Sequence, residues 1–95
     1  MPDRHVKKHA RYKEAVAALV REFPRAADVF RGAEWAIARA PEESGIHIPS
    51  IDVFRSFLIC PEPIPSVHIY YTFDARQLRL LTIVPLKPHE MELPS

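Results

Sequence analysis

The chain has 95 residues, of which 47% are hydrophobic and 26% charged, and its formal net charge is +1 at pH 7. These proportions are typical of a globular protein and exclude a wholly disordered chain, and the length leaves room for one hydrophobic core. The single cysteine, Cys60, excludes an internal disulfide, and no Cys/His cluster has the spacing of a zinc site. We therefore expect a single cytoplasmic domain over residues 1–95 that holds neither metal nor cofactor.

Charge is distributed unevenly along the chain. Residues 1–40 hold nine Lys/Arg and five Asp/Glu, whereas residues 41–95 hold four and seven. The first half is therefore the expected contact for a polyanion or an acidic partner, although solvated helix faces produce similar counts.

Residues 1–11 are basic and polar, and they lack both strand alternation and the apolar run of a signal peptide or membrane anchor. They predict a basic, flexible N-terminus and no association with a membrane. His5 and His9 are four residues apart, a spacing that metal ligands use on a helix, but no third ligand accompanies them. An accidental pair is the favoured interpretation.

Residues 12–41 have the apolar periodicity of two amphipathic helices, which a short connection would join as an αα-hairpin. Pro24 ends the first helix and Pro41 ends the second, since the residue before a proline is pushed out of the helical region. Gly32 lies inside the second helix, where it costs about 1 kcal/mol relative to alanine. Close approach of another backbone would explain it.

After Gly45 the apolar period changes from 3.6 to 2, which predicts an antiparallel sheet over residues 46–84. Strands are predicted at 46–48, 53–60, 67–73 and 78–84, and the prolines that follow make residues 85–95 an irregular tail. One core between the helices and the sheet is predicted to contain Val16, Leu19, Phe30, Ile37, Ile69, Tyr71, Leu80 and Ile83.

Two stretches support a family resemblance: VHIYYTFDARQLRLLTI at 67–83 and FRGAEWAIARAPEESG at 30–45. Residues 68–74 occupy the pattern Arg-Val-apolar-Tyr-x-apolar-Asp of a penultimate strand, and residues 80–83 begin the apolar last strand. Over residues 12–86 the chain resembles the RelE/ParE toxin superfamily of bacterial type II toxin–antitoxin pairs. The resemblance implies an α+β fold in which the αα-hairpin covers a three- to four-stranded antiparallel sheet.

The resemblance also implies a function, namely a toxin that an acidic antitoxin protein binds and neutralises. Its target would be mRNA, the ribosome or DNA gyrase. Two features depart from the family pattern. The family usually opens with a β-strand before its first helix, and its mRNA-cutting members end in Gly-His-Arg, where this chain has Val84-Pro85-Leu86, with only Lys87 and His89 nearby.

An enzyme of this family would be a metal-independent endoribonuclease, which needs an acid or base and cations that stabilise phosphate charge. His68 is the candidate acid or base, because imidazole titrates near neutrality, and Arg55, Arg79 and Lys87 are the candidate phosphate ligands. A solvated histidine on a half-exposed strand is the simpler interpretation of His68. Cys60 has no basic neighbour that would activate its thiol.

Binding of a partner protein is the other main hypothesis. Trp35, which lies off the main apolar stripe of the second helix, is either the edge of the core or an anchor for a partner, together with Arg31 and Arg39. A third alternative is a module unrelated to toxins that forms a homodimer through the edge of its sheet.

Overall fold

The computed structural model describes residues 4–86. Its elements are β1 (His5–Lys8), α1 (Ala10–Glu22), α2 (Ala26–Arg39), β2 (Ile46–Ile48), β3 (Val53–Leu58), β4 (Val67–Phe73) and β5 (Gln77–Pro85). The strands form one sheet of order β1-β5-β4-β3-β2. The helices cover one face of it, so the molecule has two layers with a core between them.

The predicted pair of helices is confirmed. α1 begins at Ala10, before Tyr12, and its C-cap is Phe23, which precedes Pro24. α2 buries one side, at Ala26, Phe30, Ile37 and Ala38, and ends before Pro41. Of the predicted core residues, Val16 is partly buried and all the others are buried in one cluster.

The sheet differs from the predicted three to four antiparallel strands, because it has five strands and one parallel pair. Residues 5–8, assigned above to the basic N-terminus, form β1, which pairs with β5 in parallel. β1 lies at the edge of the sheet, and only Val6 packs against the core. An edge strand of this kind needs no apolar alternation, so its sequence resembles that of a loop.

A polar network joins β1 to both helices. The Glu34 carboxylate of α2 accepts a hydrogen bond of 2.6 Å from the Tyr12 hydroxyl of α1 and lies 3.0 Å from the ammonium of Lys8. Burial, and then the neighbouring carboxylate, raise the pKa of Tyr12, so its hydroxyl stays protonated and keeps donating. This network fixes the basic strand against the helical hairpin.

The two glycines occupy opposite environments. Gly32 has open space where a Cβ would be, so the expected close approach of another backbone is wrong. At Gly45 a Cβ would lie 2.6 Å from the Arg55 carbonyl oxygen and 2.7 Å from the Tyr71 hydroxyl. That hydroxyl is buried and donates a 2.7 Å hydrogen bond to the Pro41 carbonyl, so the chain passes close to the sheet here. Burial raises the pKa of Tyr71 to about 12.

Neither helix within residues 4–86 has the length and apolar character needed to cross a bilayer. The part of the predicted tail from residue 87 onward, including Lys87 and His89, lies outside the described residues.

Candidate functional site

The helices leave one face of the sheet uncovered, and we call it the open face. Side chains alternate across a strand, so the residues that alternate with the buried Ile69 and Tyr71 point away from the helices. The open face consists of His5, Lys7, Ile46, Ile48, Val53, Arg55, Phe57, His68, Tyr70, Thr72, Gln77, Arg79, Thr82 and Val84.

The strand register brings three of the four predicted catalytic residues to this face. Arg55 of β3 pairs with Tyr70 of β4, and His68 lies in β4 two residues before Tyr70. Arg79 pairs with Thr72 on the other side of β4. Arg55, His68 and Arg79 therefore lie on three adjacent strands of one surface, while the fourth predicted residue, Lys87, is outside the described residues.

A β-bulge decides which residues of β5 join the open face. Tyr71 pairs with Leu80 and Tyr70 pairs with Thr82, so Leu81 is an extra residue in β5. Strict alternation from Arg79 would place Ile83 on the open face, whereas the bulge turns Ile83 into the core. It places Val84 beside His68 instead.

The strands of the sheet are more basic than the charge balance of residues 41–95 predicts. None of the five strands contains Asp or Glu, and their cations are Lys7, Lys8, Arg55 and Arg79. The acids of residues 41–86 lie in the turns instead. Lys8 faces the helices, so the open face carries three cations and no carboxylate from its own strands. It is therefore a better surface for a polyanion than the charge count suggested.

Asp74 engages one of these cations. Its carboxylate accepts 2.8 Å hydrogen bonds from the backbone N–H groups of Arg76 and Gln77, and a 2.7 Å bond from the Arg79 guanidinium. These bonds, with the Arg76 N–H first, lower the pKa of Asp74. Arg79 is thus committed to closing the β4–β5 turn, which weakens its predicted role as a phosphate ligand.

We expect the Asp74 carboxyl to titrate below its ordinary value of 3.8 in an NMR pH titration. Because folding lowers the pKa of Asp74, its carboxylate stabilises the fold at pH values above the pKa of the unfolded state. This stabilisation is lost as the pH falls through the lower pKa of the folded state. Arg79→Gln should raise the pKa only in part, since the two backbone donors remain. An unshifted carboxyl in the wild type would contradict this geometry.

Aromatic rings form a second component of the open face. The Phe57 ring lies 5.6 Å from the His68 imidazole, centroid to centroid, and the Tyr70 ring lies 6.5 Å from it on the other side. Phe57 is half exposed. The sequence predicts Phe57 only as a strand residue, although alternation from Arg55 also places it on the same face.

The outer side of α2 carries the predicted partner-binding residues Arg31, Trp35 and Arg39, which we call the α2 stripe. They are spaced by four residues and so share one helix face. Trp35 is 57% exposed, and the Arg39 guanidinium lies 4.4 Å from the centre of its ring. Arg31 pairs weakly with Asp28 at 3.4 Å. The core-edge interpretation of Trp35 is therefore excluded.

The sequence also offered a histidine pair, His5 and His9, and the thiol of Cys60 as candidate sites. His5 lies in β1 and His9 caps α1, so they do not share a helix face, and residues 4–86 contain no group of three potential metal ligands. Cys60 is buried, and burial raises the pKa of its thiol, which disfavours the nucleophilic thiolate.

The molecule therefore offers two surfaces with different chemistry. The open face combines cations with aromatic rings and an imidazole, which suits anionic or planar ligands. The α2 stripe combines an exposed tryptophan with arginines, the residue types that dominate protein interfaces. Comparison with known families, characterised proteins and solved structures finds no significant match to this chain.

Proposed function

We propose that this chain is a RelE/ParE-like toxin of a type II toxin–antitoxin pair, bound and neutralised by an acidic antitoxin. The strand β1 supports the proposal most strongly. The superfamily usually opens with a strand before its first helix, and His5–Lys8 form one although their sequence lacks a strand pattern. The element order is then strand, helix, helix and further strands, which removes the main departure from the family pattern.

The α2 stripe is the surface that we assign to the antitoxin. An exposed tryptophan backed by a guanidinium is a rigid anchor that loses little conformational entropy on binding. Arg31 and Arg39 on either side of it attract carboxylates, so an acidic helix or strand is the complementary partner.

A metal-independent endoribonuclease with a degenerate site is the second candidate, and the register of the open face favours it. Arg55 and Tyr70 are paired, with His68 next along the strand, on a face whose strands contain no acid. In this role His68 would move the proton and Arg55 would hold the phosphate. The engagement of Arg79 by Asp74 leaves this site short of a cation, so we expect direct cleavage to be weak.

Co-expression with the protein encoded by the adjacent reading frame tests the main proposal. We expect an acidic protein that co-purifies with this chain, and Trp35→Ala with Arg39→Glu should weaken capture by about tenfold or more, as for a truncated hot spot. Arg21→Glu is the matched control, because it reverses an exposed charge on α1 away from the stripe. Equal loss of capture in both variants would contradict the assigned surface.

A further inference from the structure

The two edges of the sheet differ in chemistry. At one edge, β1 carries Lys7 and Lys8 in four residues, so a second β1 strand beside it would place cations close together. At the other edge, β2 consists of Ile46, His47 and Ile48 and contains no Lys or Arg. Within residues 4–86, four of the six exposed large apolar side chains lie in or next to β2 and β3: Ile46, Ile51, Phe57 and Ile59.

The backbone of β2 has an unpaired side. Ile46 pairs with Arg55, and Ile48 pairs with Val53. The Arg55 carbonyl oxygen lies 2.6 Å from where a Gly45 Cβ would be, so this carbonyl points towards β2. Since hydrogen-bonded and non-hydrogen-bonded pairs alternate along an antiparallel ladder, Ile46 and Ile48 direct their backbone hydrogen bonds to β3. The N–H and C=O of His47 then point outward, away from β3, at the free edge of the sheet.

We propose that two copies of this chain pair their β2 strands edge to edge in antiparallel fashion and form one continuous sheet. A two-fold axis beside His47 lets each His47 N–H donate to the His47 carbonyl of the other copy. Ile46 of each copy then faces Ile48 of the other on the open face. This register covers Ile46, which is 68% exposed in the single chain.

The chemistry of this edge fits a second copy better than the acidic partner of the α2 stripe. Glu42 and Glu43 are exposed and lie just before β2, so they would repel an acidic segment that docked there. In the two-fold register these carboxylates lie at opposite ends of the joint, beside the other copy's β2–β3 turn, whose single acid, Asp52, is held by the His47 of its own chain. On the helix-covered side of the sheet, the His47 imidazole lies 2.8 Å from the Asp52 carboxylate of the same chain.

Analytical ultracentrifugation of the full chain over the micromolar range should show a reversible monomer–dimer equilibrium. Ile46→Lys with Ile48→Lys should raise the dissociation constant by about tenfold or more, because like charges would face each other across the joint. Ile59→Lys is the matched control, since Ile59 is 70% exposed but outside the β2 ladder, and it should leave the constant unchanged.

Cross-linking gives an independent test of the register. In a hydrogen-bonded antiparallel pair the Cα atoms are about 5.5 Å apart, within disulfide range. In a Cys60→Ser background, His47→Cys should therefore form a covalent dimer on oxidation, and Val84→Cys on the open face should not. A purely monomeric wild type, or a dimer that the β2 lysines leave unchanged, would overturn the inference. Neither result bears on toxicity or antitoxin capture, so the proposed function is tested separately.

Discussion

Replacing Ile37 with alanine should lower the free energy of unfolding by about 2 to 5 kcal/mol, the usual cost of removing a large buried aliphatic group and leaving a cavity. Ile37 is only 3% exposed and lines the space between α2 and the sheet, together with Leu58 and Ile69. Both the helix and the strands are held by their own hydrogen bonds, so neither can move far to fill the gap. Urea denaturation followed by circular dichroism would measure the loss.

Leu19→Ala on α1 should behave in the same way, whereas Trp35→Ala on the exposed stripe should change stability little. A loss below about 1 kcal/mol at both Leu19 and Ile37 would mean that the two helices do not bury these faces.

Alanine at Gly45 should destabilise the fold by about 1 to 3 kcal/mol, the usual cost of overpacking. The two atoms that a Cβ would meet are both fixed, because Arg55 is held in ladders with β2 and β4, and the buried Tyr71 hydroxyl is bonded to Pro41. Thermal or urea unfolding of the variant measures this cost. The change should also disturb the Tyr71 hydrogen bond that holds residues 41–45 against the sheet.

Gly32→Ala is the control that the chain itself provides. Gly32 lies on an exposed helix position with nothing near its missing Cβ, so alanine there should stabilise the fold by about 0.5 to 1 kcal/mol. Changes of the same sign at Gly32 and Gly45 would contradict the contrast between open and crowded environments.

The helical hairpin and its core were predictable because burial of one helix face imposes a period that a single sequence displays. β1 was not, since an edge strand with one inward apolar residue, Val6, carries no such period. The face occupied by Val84 depends on the bulge at Leu81, and a bulge shifts side chains without leaving a clear sequence signal here.

Part of the candidate site was predictable because it depends only on the alternation of side chains along a single strand. Alternation is a local property, so it correctly predicted that His68 and Tyr70 share one side of β4. The acid-free surface does not follow from the charge balance along the chain, because the acids of residues 41–86 lie in turns and not in strands. The Asp74–Arg79 pair was detectable in principle, since Asp after a strand often caps a turn in this way.

Growth and mRNA integrity after induction of this chain test the proposed function most directly. Expression without the antitoxin should arrest growth while mRNA stays largely intact, and His68→Ala and Arg55→Ala should arrest growth as the wild type does. Antitoxin should relieve the arrest unless Trp35 and Arg39 are replaced. Normal growth on induction would contradict the toxin assignment, and mRNA cleavage that disappears in His68→Ala would contradict action through protein binding and establish the endoribonuclease instead.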